Sequence, residues 1–436
     1  MRTAPRCRAL TMALALLTGA GLAGPATAQT VTGTLQGQVR DTTEAALPGA
    51  TVSIRNVDTG MVREVTTNER GLYNAPFLPL GRYRLTATMS GFGPVARDRV
   101  EVRLNETFAV DFRLDPTTKE EVTVVAERPL INTVTSDVKQ ALTAEQILDR
   151  PTVQNLNNNN TFLALAETFA GFQENPTSGQ NNPTASSGSS INFNGTGTRG
   201  ATFQIDGVNN DDASENQNRQ GVNLATIQEF QVISNTFSAE FGRGYGAVVL
   251  VQTKSGTNQV KGEVFYYRQD SQWNALQYGA LVKPDNQRPS YGGVVGFPIV
   301  KNELFGFASF EHGRRSGQGT YVRDIFIPAD LSGPRLSRGN DTPGNRAWQD
   351  AVLARFGSLT PNDPRSNARD RVVGRYQYSR QRFDNEDVIL GEATQQNNRQ
   401  ANFGLTWTHT FSSRTVGELR YGLGVRDTNV NIKAGN

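Results

Sequence analysis

The chain is poor in the residues that build covalent and metal sites. Its 436 residues include one cysteine, Cys7, and two histidines, His312 and His409. One thiol cannot form an internal disulfide framework or a thiolate zinc cluster. Neither histidine stands in an H-E-x-x-H or H-x-x-E spacing, which excludes a zinc-peptidase motif. His409, on an alternating segment, reads as an interface residue, and His312, beside Arg314 and Arg315, as a solvated strand end. No G-x-S-x-G elbow is present, and the acidic run from Asp206 to Asp212 lacks the spacing of an EF-hand loop. Gly195-Thr196-Gly197 is not followed by the Gly-Lys-Ser/Thr of a phosphate loop. The expectation is no catalytic residue, no metal and no cofactor.

Long apolar runs are missing too. The longest, Ala9 to Leu17, is nine residues, far short of the ~20 a helical membrane span needs. With Arg2, Arg6 and Arg8 before it and Ala26-Thr27-Ala28 after it, residues 1–28 read as a secretory signal. Its removal takes Cys7 and three arginines. The totals of 44 Lys+Arg and 41 Asp+Glu then become equal, so the small positive charge is no argument for nucleic-acid binding. The chain contains 43 glycines and only 36% hydrophobic residues, below the ~45–50% of ordinary domains, a scale that also counts glycine. Strands with one wet face and one lipid face give such a composition.

Residues 29–116 read as a small β-sandwich. Val52 and Ile54, then Val100, Val102 and Leu104, then Val110, Phe112 and Leu114 alternate as half-buried strands do. Pro48-Gly49, Thr59-Gly60, the 68–71 stretch and Pro79-Leu80-Gly81 supply the turns, and about seven strands are expected. The ordered motifs Gly37-Gln38-Val39-Arg40-Asp41, Leu47-Pro48-Gly49-Ala50-Thr51-Val52, Gly71-Leu72-Tyr73, Leu80-Gly81-Arg82-Tyr83-Arg84-Leu85 and Ser90-Gly91-Phe92 resemble the carboxypeptidase regulatory-like domain. That resemblance implies a transthyretin-like sandwich and no activity of its own.

A linker, 117–128, follows. Within it Glu121, Val122, Thr123, Val124, Val125 and Ala126 form a short β-branched strand, similar to the TonB box of outer-membrane receptors. Such a strand can add to a partner's sheet edge through main-chain hydrogen bonds, and it reads equally as an ordinary first strand of the next domain. Residues 129–258 resemble the plug domain of a TonB-dependent receptor. A short helix is expected at 142–148, with Thr143 as its cap and Pro151 beyond its end. Residues 155–200 read as loops, and alternating strands are expected at 203–208, turning at Asp206-Gly207, and at 227–233. The glycine cluster Gly242, Gly244 and Gly246 then leads into the apolar strand Ala247-Val248-Val249-Leu250-Val251.

From 259 to 436 the pattern becomes aromatic-rich alternation. Leu419, Tyr421, Leu423 and Val425 oppose Glu418, Arg420, Gly422, Gly424 and Arg426, and Leu405, Trp407 and Phe411 oppose Thr406, Thr408 and Thr410. Connections at 298–303 and 412–415 are short, whereas 273–289 and about 313–398 read as long polar loops. This fits five strands of an outer-membrane β-barrel. Five strands cannot close one, so the chain reads as the N-terminal part of a longer receptor.

The fold class expected is mainly β: a transthyretin-like sandwich, an α+β plug, then the first strands of an incomplete antiparallel barrel. The whole resembles an Oar-like TonB-dependent receptor. That resemblance implies an outer membrane of Gram-negative type, a periplasmic N-terminal domain, TonB and membrane lipid as partners, an extracellular ligand, and no enzyme activity. Glu240, Gly242, Arg243, Gly244 and Gly246 on the plug, with Glu418 and Arg420 on the wall, are the expected plug–barrel contacts. The alternative is a secreted or surface-attached β-rich adhesion protein without transport.

Overall fold

Period-two alternation becomes β-strand along nearly all of the described chain, and the strands sort into three modules. The computed structural model describes residues 32–116, 122–125, 138–148, 161–174, 191–197, 199–211, 218–235, 241–242, 244–273, 275–276, 287–318, 323–325, 336–338, 344–359, 370–385, 394–412 and 415–432. The leader, Pro151, Glu121, Ala126, Glu240 and Arg243 lie outside these residues.

The first module has eight strands: Gly33–Asp41 (β1), Thr51–Asn56 (β2), Val62–Thr66 (β3), Leu72–Leu78 (β4), Gly81–Thr88 (β5), Val95–Val102 (β6), Thr107–Ala109 (β7) and Phe112–Leu114 (β8). One sheet runs β4-β1-β7 with β8 also on β1, and the other runs β3-β2-β5-β6. In β2 the pleat sends Val52, Ile54 and Asn56 inward and leaves Arg55 exposed. Leu35, Val39, Ile54, Tyr83, Leu85 and Phe112 fill the space between the sheets. Two buried phenols keep their hydroxyls satisfied: Tyr73 donates to the Val110 carbonyl at 2.6 Å and Tyr83 to that of Pro79 at 2.8 Å. Val122–Val125 (β9) pairs parallel to β6 and extends the second sheet to five strands.

The second module is a mixed sheet of order β10-β15-β16-β13-β14. It comprises Val138–Thr143 (β10), Ala201–Ile205 (β13), Val208–Asn209 (β14), Ile227–Asn235 (β15) and Ala247–Thr253 (β16), with a side hairpin of Phe172–Glu174 (β11) and Ile191–Phe193 (β12). The helix Ala144–Leu148 (α1) is shorter than the sequence suggests because β10 runs through Thr143. The Thr143 amide donates to Gln146 Oε1, half of a capping box. Asp206 and Gly207 carry φ of 50° and 74°, the two positive values a tight β13–β14 hairpin of this twist requires.

Every residue of β13 and β16 is buried, so the sheet is covered on both faces. On one face lie Phe162, Leu163 and Leu165, from a 3-10 segment at Thr161–Thr168. Within the described part of 155–200 this corrects the loop reading at 161–168: the run there is apolar without helical or strand period, yet Phe162, Leu163, Leu165 and Ala166 pack as core. The other face of the sheet is covered by Leu104 and Leu80 of the sandwich, against Ile233, Val248 and Leu250.

The third module is a sheet of seven antiparallel neighbours. Its strands are Lys261–Asp270 (β17), Gln287–Val300 (β18), Leu304–Gln318 (β19), Gly344–Leu359 (β22), Asp370–Asn385 (β23), Thr394–Thr410 (β24) and Val416–Ile432 (β25). Two short pieces, Arg323–Ile325 (β20) and Leu336–Arg338 (β21), pair with each other. Among the described residues the edges β17 and β25 are not paired together, so this sheet is open. On β25, Leu419 is 64% and Val425 55% exposed, whereas the Glu418 side chain is 1% exposed, the expected apolar-out, polar-in alternation.

The reading of 313–398 as one long loop is overturned, because β22 and β23 occupy 344–385. Their sequence hides them. In β22, Asp350 interrupts Trp348 and Val352, and in β23 the inward positions are Arg375, Gln377 and Ser379. A strand whose inner face meets a polar plug surface spends half its residues on polar side chains, and arginines at both odd and even positions erase the rest of the contrast.

The sandwich abuts the end of the wall that carries the turn at 301–303. The Asn258 amide donates to the Asp58 carbonyl at 3.0 Å, Lys261 Nζ stands 3.8 Å from Asp58 Oδ1, and Phe305 of β19 joins the sandwich core. Truncating Ile54 to Ala should cost about 2–5 kcal/mol, a cavity cost in a fully enclosed site. Faster amide exchange in β2 and β5 of the full chain, with the wall strands unaffected, is the expected reading.

Candidate functional site

The seam between plug sheet and wall is built around one buried ion pair. Asp206, held at the β13–β14 turn, accepts from the Thr253 amide and the Thr253 hydroxyl, both at 2.8 Å. Arg375 Nε of β23 lies 3.2 Å from Asp206 Oδ2, with the two side chains 2% and 9% exposed. The guanidinium spends its other donors on Gln377 Oε1 (3.0 Å) and Asn402 Oδ1 (2.9 Å). A charge pair this enclosed is tolerable only when its remaining donors and acceptors are occupied, and here they are engaged from three strands.

Polar contacts continue from the pair along the wall. Gln377 Nε2 donates to the Gly221 carbonyl at 2.7 Å, and Gln220 Nε2 to Ser379 Oγ at 3.3 Å. Close approach comes from wall glycines. A Cβ on Gly422 would stand 2.2 Å from Val208 Cγ1, and one on Gly424 2.0 Å from Arg219 Nη1. Their absent side chains form the groove in which the plug's hairpin rests.

The sequence-predicted contacts distribute differently. Gly244 faces Thr202 and Ala247, Gly246 faces Thr196, and Gly242 has nothing within 4 Å, so the contacts of this cluster lie inside the plug. Glu418 and Arg420 are buried on the inner face of β25, pair with each other, and Glu418 accepts from Thr408 Oγ1 at 3.1 Å. Glu418 and Asp206 also line a cavity where the three modules meet, with Thr32, Leu80, Gln252 and Arg371. Sequence reasoning singled out neither Asp206 for this role nor Arg375, Gln377 or Val208. The available signal was Gly422 and Gly424 at alternate inward positions of one strand.

A second seam joins sandwich and plug. Leu104, fully buried, offers its amide to Glu229 Oε2 at 3.2 Å and takes a bond from Gln231 Nε2 at 3.1 Å. Lys139 Nζ donates to the Asn105 carbonyl at 2.7 Å. Burial pushes the Glu229 carboxyl up to about 7, against the Leu104 amide and Arg103, which favour its charged form; Glu106 and Glu101 add to the rise. Its other oxygen, Oε1, has no hydrogen-bond partner among the described residues, which fits a group more comfortable when neutral.

Of the box-like segment, Val122–Val125 are described, as the edge strand on β6. Among the described residues no group of three His, Cys, Asp or Glu side chains is placed to hold a metal ion.

Two outcomes follow from these seams. Arg375→Ala strands the Asp206 carboxylate in a buried site and should loosen the plug by about 3–5 kcal/mol, read as a lower urea midpoint for protease cleavage of the plug. Glu229 binds its proton more tightly when the sandwich is docked than when it is free, so docking is strongest below about pH 4.5 and weakens as pH rises toward about 7. The difference is on the order of 3 kcal/mol, and Glu229→Gln should flatten it in amide-exchange measurements of the 102–106 loop across that range.

Three families match the chain in sequence order. The carboxypeptidase regulatory-like domain matches residues 34–115, the TonB-dependent receptor plug domain 135–249, and the outer membrane beta barrel domain 252–352. The TonB-dependent transporter Oar of Myxococcus xanthus is 26% identical over 309 residues, covering 68% of this chain and 28% of that protein. Carboxypeptidase D of Anas platyrhynchos is 34% identical over 84 residues, 19% of this chain and 6% of its own length. The outer membrane transporter YddB of Escherichia coli covers 66% of this chain and 38% of its own at 14% identity, with a TM-score of 0.47. The chain thus spans under a third of the curated relatives it matches. With matches to a carboxypeptidase regulatory-like domain, a receptor plug domain and an outer-membrane barrel domain in that order, the chain is similar to the TonB-dependent outer-membrane receptors.

Proposed function

We propose that the chain takes up an extracellular ligand across the outer membrane with energy delivered through TonB, and that its sandwich stands in the periplasm. The observation that carries this reading is the mounting of the plug. A sheet whose central strands β13 and β16 are wholly buried is fixed to the inner face of the wall by one ion pair and a short run of polar contacts, which a directed pull can undo. The sandwich, which carries β9 on the edge of one sheet, abuts the end of the wall that carries the 301–303 turn, the end from which such a pull would come. Ligand capture then belongs to the loops at the opposite end, and the work done is a driven rearrangement without bond chemistry.

The adhesion reading fits less well. The outward Leu419, Tyr421, Leu423 and Val425 form an apolar stripe that only lipid or another apolar surface would satisfy.

In cells making the full-length protein, the test compares solutes depleted from the medium by wild type, by a strain lacking the protein, and by a Val124→Pro strain. Proline removes a main-chain donor from the strand that would engage TonB. The expected result is one solute whose depletion is lost in both altered strains while the Val124→Pro protein remains in the outer-membrane fraction. Normal depletion by the Val124→Pro strain would remove TonB coupling through this segment from the reading.

A further inference from the structure

The five-stranded sheet of the sandwich, β3-β2-β5-β6-β9, ends on the box-like strand. β9 pairs parallel with the first half of β6, Val95 with Val122 through Asp98 with Val125. Its opposite edge pairs with nothing among the described residues. An edge strand turns half of its main-chain N–H and C=O groups away from its neighbour, and these are the groups a further strand needs.

We propose that the sandwich is the docking platform for TonB: a strand of TonB adds to the open edge of β9 while β9 stays on β6, giving a six-stranded sheet. This rests on the reading of TonB as partner. It differs from a free tether captured in solution, because the segment would be ordered before its partner arrives. Ordering a free segment costs about 1–2 kcal/mol per residue in backbone entropy, a cost that a strand already seated on β6 has met within the folded chain. Exchange of β6 for the partner would first break four residue pairs, whereas addition breaks none.

The placement also gives a pull a second route. β6 runs on through Val102 into Arg103–Asn105, where Leu104 is clamped by Glu229 and Gln231 and Asn105 by Lys139. Force applied at β9 therefore reaches the plug sheet through the sandwich at β15 and β10, in addition to the covalent connection through 126–137. A free tether would load only the covalent connection.

The experiment locks β9 to β6. In the full-length receptor, Asp98→Cys with Val125→Cys joins two registered partners, and neighbouring strands lie about 4.7–4.9 Å apart, within disulfide reach. Arg97→Cys with Val124→Cys is the second pair, used if the first expresses poorly or stays reduced by mass spectrometry. Binding of the periplasmic domain of TonB to the purified receptor is measured oxidised and after reduction. The expected result is the same Kd in both states. Binding weakened by roughly tenfold or more when locked, and restored by reduction, would overturn the platform and show that the strand must leave β6. If unmodified receptor does not bind the TonB domain at all, the TonB reading beneath the proposal fails instead, and the platform falls with it.

Discussion

The Asp206–Arg375 pair is the contact on which the internal arrangement turns. A carboxylate and a guanidinium taken out of water are costly to each other's surroundings unless every remaining donor and acceptor is engaged. That requirement fixes Thr253 at the end of β16, Gln377 and Asn402 on adjacent wall strands, and the positive-φ turn that presents Asp206. The pair thus sets register between two sheets that share no ladder. Glycines at 422 and 424 do the steric half of the task by letting Val208 and Arg219 come close enough for the polar half to form.

Much of this could be read in the residues beforehand, and what could not has a physical reason. The sandwich showed itself because a water-facing sheet on an apolar core has sharp contrast, as in Val52 and Ile54 against Ser53 and Arg55. β25 showed itself because its outward face is uniformly apolar from Leu419 to Val425. β22 and β23 did not, since a lumen-facing side carrying Arg375 and Gln377 looks like loop to any measure that equates burial with hydrophobicity. The ion pair was invisible for a different reason. Both partners are common surface residues, and nothing local marks a charge that will be buried against a strand far along the chain. The segment at Thr161–Thr168 failed on period alone: Phe162, Leu163, Leu165 and Ala166 are core side chains, but a 3-10 stretch has neither the strand nor the α-helical repeat.

The plug sheet belongs to two neighbours at once. One of its faces is finished by its own Phe162 and Leu165, the other by Leu104 and Leu80 of the sandwich. Removing the sandwich would expose Ile233, Val248 and Leu250 to water, so the domain is part of the plug's core as well as an appendage to it. Placing the ionisable Glu229 at that contact makes the attachment responsive to its surroundings, while the apolar contacts beside it give it strength.

Strand order has a consequence for how the protein comes into being. The wall consists of nearest neighbours in sequence, β22 following β19 only after the small β20–β21 hairpin, so it can zip from local contacts as successive strands appear. The plug cannot. β10 waits for β15, and β13 waits for the parallel β16, which arrives last of all its strands. Pairings between distant segments form slowly. Until Ala247–Thr253 inserts between β15 and β13, the plug has two half-sheets and no centre, and the residue that must meet Arg375 has no Thr253 to hold it. Assembly of the wall around an unfinished plug would leave those half-sheets without the central strand that joins them.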